Sequence, residues 1–234
     1  MVRGLRAGLM LFSGVLLYIT ALQAAGAVVL HPIERTVCCV SVVPKAEPLS
    51  FPLELAGTTL RAEGTVYYEG PFLENGTQEP VTGALALLVR NTGSEALQTA
   101  QITLVGKQGT YRFQGCHIPS GAQVLLLETT GAAWNRDAVL SYEAEALPEP
   151  PDLLQQGALE IRDVDMGTVA VTNRTDQTLR DLHLYYKNYL SDSDLYQGGI
   201  CYEEGIESLE PGQTLYLSPQ RYAMGYSRFV RVEE

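Results

Sequence analysis

The chain repeats itself, and the repeat limits what it can fold into. Setting Asn91 beside Asn173 brings Leu87 and Val89 onto Val169 and Val171. The same offset brings Leu97, Ala100, Ile102 and Leu104 onto Leu179, Leu182, Leu184 and Tyr186, with no gap. Further on, Phe113-Gln114-Gly115 matches Tyr196-Gln197-Gly198, and residues 118–123 match residues 209–214. An apolar stretch follows each match, at 124–127 and 215–217, and each unit ends in an alternating segment, at 138–144 and 228–232. The second unit is longer between Gly198 and Pro211, where residues 202–205 add a hairpin or a loop.

The repeated pattern has the period of strands. In residues 182–186, Leu182, Leu184 and Tyr186 share one face while His183 and Tyr185 point the other way. Val89 and Val171 put a β-branched residue inward two positions before each Asn, and Thr92-Gly93-Ser94 and Arg174-Thr175-Asp176 then supply turn chemistry. From Leu53 onward no segment sustains the i, i+3, i+4, i+7 pattern of a capped helix. Six or seven short strands per unit, with turn signals every ~8 to 12 residues, predict a β-sandwich in each.

The N-terminus reads differently. Arg3 and Arg6 precede residues 7–30, a charge-free run that would reach ~36 Å as a helix, enough for a bilayer core of ~30 Å. Ala25-Gly26-Ala27 also resembles a signal-peptidase site, so a cleaved leader competes with an uncleaved anchor. The run continues through Val28, Val29 and Leu30, which favours the anchor, and both readings mean export. Arginines ahead of the span place residues after about 31 outside the cytoplasm. Charges at Glu34 and Arg35 before Cys38-Cys39 argue against lipidation there, and neighbouring cysteines bond each other only in a strained ring. Pro44, Pro48 and Pro52 make residues 31–52 a stalk.

The order Val-x-Asn, apolar alternation, Leu-x-Pro-Gly, final strand pair resembles the FxLYD-type, immunoglobulin-like domains of anchored extracytoplasmic proteins from Gram-positive bacteria. Carrying the resemblance are Leu184-Tyr185-Tyr186, Tyr196-Gln197-Gly198-Gly199-Ile200, Leu209-Glu210-Pro211-Gly212 and residues 222–227. It covers about residues 157–234 well and 60–145 weakly, and the Phe-x-Leu-Tyr-Asp signature itself is absent. The resemblance implies fold and compartment, and no catalytic residues. The expected fold class is therefore all-β: two tandem immunoglobulin-like β-sandwich domains, residues 53–147 and 157–234, preceded by one N-terminal transmembrane or signal helix. Pro148, Pro150 and Pro151 stiffen the linker, 148–156.

Composition closes off several functions. Lys+Arg 16 against Asp+Glu 27 gives a net charge of -11, which argues against nucleic acid. His31, His117 and His183 are scattered and Cys116-His117 are too close to be a spaced ligand pair, so no metal or cofactor is expected. Nucleophile elbow, zinc-protease, phosphate-loop and Cys-x-x-Cys motifs are all missing, so no enzyme is expected and a cryptic hydrolase is the outlying alternative. Asp163 with Asp165, Glu143 with Glu145, and Asp192 with Asp194 read as solvated polar positions. Each unit owns one cysteine, which excludes a staple inside either domain. Two thiols in small apolar niches are favoured over a Cys116 to Cys201 bond across the domains. Asn75-Gly76-Thr77 and Asn173-Arg174-Thr175 read as turns rather than glycosylation sites in a bacterial chain.

Aromatic residues remain as recognition candidates. Of 13 Tyr, many crowd the second unit. Tyr185, Tyr189, Tyr196, Tyr202, Tyr222 and Tyr226 are the candidate contact surface for a protein or glycan partner, with half-buried strand packing as the competing reading. The expected function is a membrane-tethered, non-catalytic binding or assembly protein at the cell surface. Its first rival is a purely structural spacer or accessory subunit of an envelope complex.

Overall fold

Side chains alternate between core and solvent along the longer strands, which is why this chain folds as sheets. The computed structural model describes residues 28–33, 36–41 and 47–234, apart from residues 75, 77, 78, 134–136 and 191–194. Residues 1–27, Asn75, Thr77, Asp192 and Asp194 therefore lie outside the described residues, and with them most of the apolar leader and its candidate cleavage site. Among the described residues no helix is long and apolar enough to cross a membrane. Val28, Val29 and Leu30 belong to strand β1 (Val28–Ile33), which pairs antiparallel with β2 (Thr36–Ser41) and sets Cys39 opposite Leu30.

Residues Pro48–Glu234 form a separate unit. Its first half holds β3 (Leu53–Glu54), β4 (Leu60–Pro71), β5 (Pro80–Asn91), β6 (Leu97–Gly106), β7 (Thr110–Ile118), β8 (Gln123–Leu127) and β9 (Val139–Pro148). Strands β3-β4-β5-β8 make one layer and β7-β6-β9 the other. Leu60, Leu85, Leu87 and Val89 of the first layer meet Ile102, Leu104, Phe113 and Ile118 of the second in a dry core. Leu49 donates its amide to Val139 O at 2.8 Å, and Leu49, Phe51 and Leu53 lie against that core, so the end of the stretch read as a stalk is packed.

The second half holds β10 (Leu159–Asp163), β11 (Val169–Asn173), β12 (Leu179–Leu190), β13 (Leu195–Gln197), β14 (Tyr202–Leu209), β15 (Thr214–Leu217) and β16 (Ser227–Glu233). Here β10-β11-β15 packs on β14-β12-β16 through Val169, Val171, Leu182, Leu184 and Leu209.

The two halves share one pairing plan. Val89 pairs with Val124 as Val171 pairs with Leu215, Leu60 pairs with Asn91 as Leu159 with Asn173, and Leu97 pairs with Ile118 as Leu179 with Leu209. Asn91 and Asn173 are fully buried and do the same work. Asn91 Nδ2 donates to Glu95 O at 2.8 Å, and Asn173 Nδ2 to Gln177 O at 2.7 Å, four residues on in each case. Each also reaches the carbonyl that ends the partner strand, Ile118 O at 3.4 Å and Leu209 O at 2.9 Å, while its Oδ1 accepts from Gly93 N or Thr175 N. With its side chain spent this way, Asn173 ends β11 and closes the turn that follows it. Gly121 and Gly212 close matching turns at φ 72° and 71°.

One sequence match is corrected by this plan. Because Ile118 answers to Leu209, the counterpart of β7 is β14, and Tyr196-Gln197-Gly198 does not correspond to Phe113-Gln114-Gly115. It belongs to β13, an insertion with no equivalent in the first half. The insertion joins the halves: β12 turns back into β13 through Tyr189 opposite Tyr196, and β13 runs parallel to β8, continuing the first half's sheet. Tyr196 is buried in the first core, where Tyr189 and Val230 also pack. The connection after β9 is equally tied down. Glu149 N donates to Ala96 O, Leu153 N to Val232 O, and buried Asp152 takes the amides of Gln155 and Val232.

Candidate functional site

The six candidate tyrosines go to four places. Tyr196 is core. Tyr185 lies with its ring 4.5 Å from that of His117. Tyr202 lies 5.4 Å from the buried Tyr186 ring and takes Arg221 over its face at 5.6 Å. Tyr189, Tyr222 and Tyr226 converge at one end of the second half. Tyr189 carries Arg228 over its ring at 4.5 Å, and its amide donates to Tyr226 O at 2.8 Å. Tyr222 stacks on Phe229 at 5.3 Å and donates its hydroxyl to Asp163 Oδ1 at 2.7 Å. The rings of Tyr189, Tyr222 and Phe229, with Met224, Arg162 and Arg228, line a cleft of about 380 Å³. Beside it Met166 is 66% exposed and Tyr226 56%, and the loop carrying Met224 is tied to Met166 by a backbone bond of 3.0 Å. Flat aromatic faces edged by guanidinium and carboxylate groups suit an extended peptide or a sugar ring.

Two of the second-half tyrosines are expected to make the fold sensitive to alkali. Burial, with Glu204 nearby, pushes the Tyr186 hydroxyl up to about 12, and burial together with the bond to Asp163 pushes Tyr222 up as well. Tyrosine in an unfolded chain titrates near 10. A raised acid stabilises the fold fully below the unfolded value and loses that contribution as pH climbs towards the folded one. Stability in urea is therefore expected to fall between about pH 10 and 12, on the order of 2 to 3 kcal/mol of it from Tyr186. In Tyr186→Phe the slope over that range should flatten. Equal slopes in the two proteins would remove Tyr186 as the cause.

The other constellation lies at the seam between the halves. Lys187 of β12 is fully buried. Its Nζ donates to Cys116 O at 3.0 Å, Gly199 O at 3.1 Å and Ile200 O at 2.7 Å, satisfying all three donors with main-chain carbonyls. Cys201 Sγ is 3.5 Å from the same nitrogen and Cys116 Sγ 3.9 Å. Glu74 closes the group: its Oε1 accepts from Gly199 N at 2.7 Å and Leu127 N at 3.3 Å. Burial lifts the Glu74 carboxyl above the ordinary range, opposed by those two bonds and by Lys187. Only glycine fits at 199, where an added Cβ would sit 1.8 Å from Gln114 O. A cavity of about 480 Å³ lined by Glu74, Gln101, Gln114, Cys116, Thr129 and Gly199 opens beside the group.

The Cys116 thiol is held below the usual range, first by the neighbouring Cys201 thiol and then, against the cost of burial, by Lys187 and His117. Burial and the neighbouring Cys116 push Cys201 up. Next to them, buried Glu149 pairs with His117 at 3.0 Å and Arg231 at 3.3 Å, joining β7, the connection and β16. The two cysteines are free thiols, and they meet across the seam instead of occupying separate niches.

Lys187 escaped sequence reasoning because strand alternation puts it on the outward face with His183 and Tyr185. The covering loop, Gly199 to Cys201, comes from the insertion, and the adjoining Gly198-Gly199 pair was the one available signal. Among the described residues no group of three or more His, Cys, Asp or Glu could hold a metal ion. No protein-family model and no curated protein matches the chain.

Proposed function

We propose that this protein is a membrane-tethered, extracytoplasmic recognition module, non-catalytic, built from two immunoglobulin-like units that hold an aromatic cleft away from the bilayer. The observation carrying the recognition reading is the cleft lined by Tyr189, Tyr222 and Met224 at one end of the second half, with exposed Tyr226 and Met166 held beside it by backbone bonds to Tyr189 and Met224. The partner is a protein or glycan of the cell surface. Support for the tether is the apolar leader behind Arg3 and Arg6, with residues after 31 outside the cytoplasm, or a secreted protein if the leader is cut after Ala27. Protease treatment of intact cells, with the mass of the mature N-terminus, tests both points.

The fused seam favours one competing reading, a rigid spacer, since shared strands and a shared core couple the two halves. A photo-crosslinking residue at position 226 in whole cells separates the two. A recognition module gives a discrete adduct at 226 and none at Leu147, an exposed position on β9 of the first half. Met166→Ala combined with Met224→Ala should lower the adduct yield about tenfold, the size of one contact worth about 1.4 kcal/mol, with thermal stability unchanged. Equal labelling at 226 and 147, or none at either, would leave the spacer.

A further inference from the structure

We infer that Cys116 and Cys201 form a reversible disulfide site, oxidised by an external disulfide, that locks the two halves of the protein together. The inference stands apart from the aromatic cleft and does not need it.

The geometry carries it. Cys116 lies near the end of β7 of the first half, and Cys201 precedes β14 of the second, 85 residues later. Cys201 Sγ lies 3.4 Å from Cys116 O, Cys116 Sγ lies 3.2 Å from Gly199 O, and Lys187 Nζ lies 3.9 Å from the Cys116 sulfur and 3.5 Å from the Cys201 sulfur. Cys116 also lines the 480 Å³ cavity, whose polar walls include Gln101, Gln114 and Thr129, so a small disulfide can reach it. The roles then divide. Cys116, which lines the cavity and whose thiol is held below the usual range, is the attacking thiol, and Cys201 is the neighbour placed to resolve. Lys187, fixed by three carbonyls, is a positioning residue that holds a positive charge beside whichever sulfur is ionised.

The step balances without a metal or cofactor. The Cys116 thiolate attacks one sulfur of R–S–S–R, forming a mixed disulfide and releasing RS⁻, which takes up a proton. Cys201 loses its proton to water and attacks the Cys116 sulfur, expelling the second RS⁻. Two protein thiols and R–S–S–R become one protein disulfide and two RSH, with two electrons passed to the reagent.

The test uses the full chain in detergent and hydroxyethyl disulfide as the oxidant. Peptide mapping is expected to recover Cys116 linked to Cys201, with a rise in Tm of about 10 °C, because the bond closes a long loop of the unfolded chain, and dithiothreitol should reverse both. In Cys201→Ser, Cys116 should keep the reagent as a stable mixed disulfide. In Cys116→Ser, Cys201 should react at least tenfold more slowly than Cys116 does in Cys201→Ser. The two variants are near-isosteric and leave the Lys187 cage in place. Recovery of Cys116 and Cys201 unlinked in the wild type, a linked pair without the rise in Tm, or equal adduct rates in the two variants would each overturn the proposal.

Discussion

Replacing Lys187 by Met is expected to cost the folded state about 3 to 5 kcal/mol, the range for removing one side of a buried charged group and leaving its partners unsatisfied. Methionine keeps the length of the stem and loses all three donors. The carbonyls of Cys116, Gly199 and Ile200 would then face a thioether at the bottom of the seam. Glu74, already raised by burial, would lose the positive charge that opposes the shift and be pushed further up. A typical domain has about 5 to 15 kcal/mol in total, so the loss is a large fraction. Because Lys187 and the β13 insertion together couple the halves, the urea transition should also broaden or split as they begin to unfold apart. A midpoint and slope unchanged from wild type would show that the cage contributes nothing net, its bonds merely replacing those to water.

The contrast between Lys187 and the two asparagines shows what could be read from the chain. Leu97, Ala100, Ile102 and Leu104 and their counterparts in β12 were legible because core burial repeats every second residue, and all eight are buried. The shared turns were legible for the same reason: Asn, Gly and Pro at fixed offsets reflect local bonds. The β13 insertion was not. Its three residues carry no period, and its partner β8 lies about seventy residues earlier, so pairing depends on tertiary fit. Tyr196 looked like a surface aromatic on composition, yet the insertion turns it into the first core. Cys116 and Cys201 meet because the insertion, which has no counterpart in the first half, carries Cys201 across. The cleft tyrosines were legible as a class; which three converge depended on β16 pairing with β12.

The second large effect is expected at the asparagines themselves. Asn173→Ala removes donors to Gln177 O and Leu209 O and the acceptor for the Thr175 amide and hydroxyl, inside a site with no exposure. About 2 to 4 kcal/mol should be lost, and a similar amount for Asn91→Ala, whose bonds to Glu95, Ile118, Gly93 and Thr59 are the counterparts. The two share no partner, so the double variant should lose close to the sum. Asn173→Asp discriminates between lost packing and lost bonding. The carboxylate keeps the acceptor oxygen and sets its second oxygen against the carbonyls of Gln177 and Leu209, where it is both buried and repelled. Its folded pKa must rise above the unfolded value near 3.9, so the variant is penalised least when protonated and loses stability relative to wild type as pH climbs from about 4 to 7. Urea unfolding of Asn173→Asp and wild type at those two pH values reads the difference directly. A gap that stays constant with pH would mean the carbonyls do not face the side chain, and the matched Asn bonds would lose their place as the repeat's organising contact.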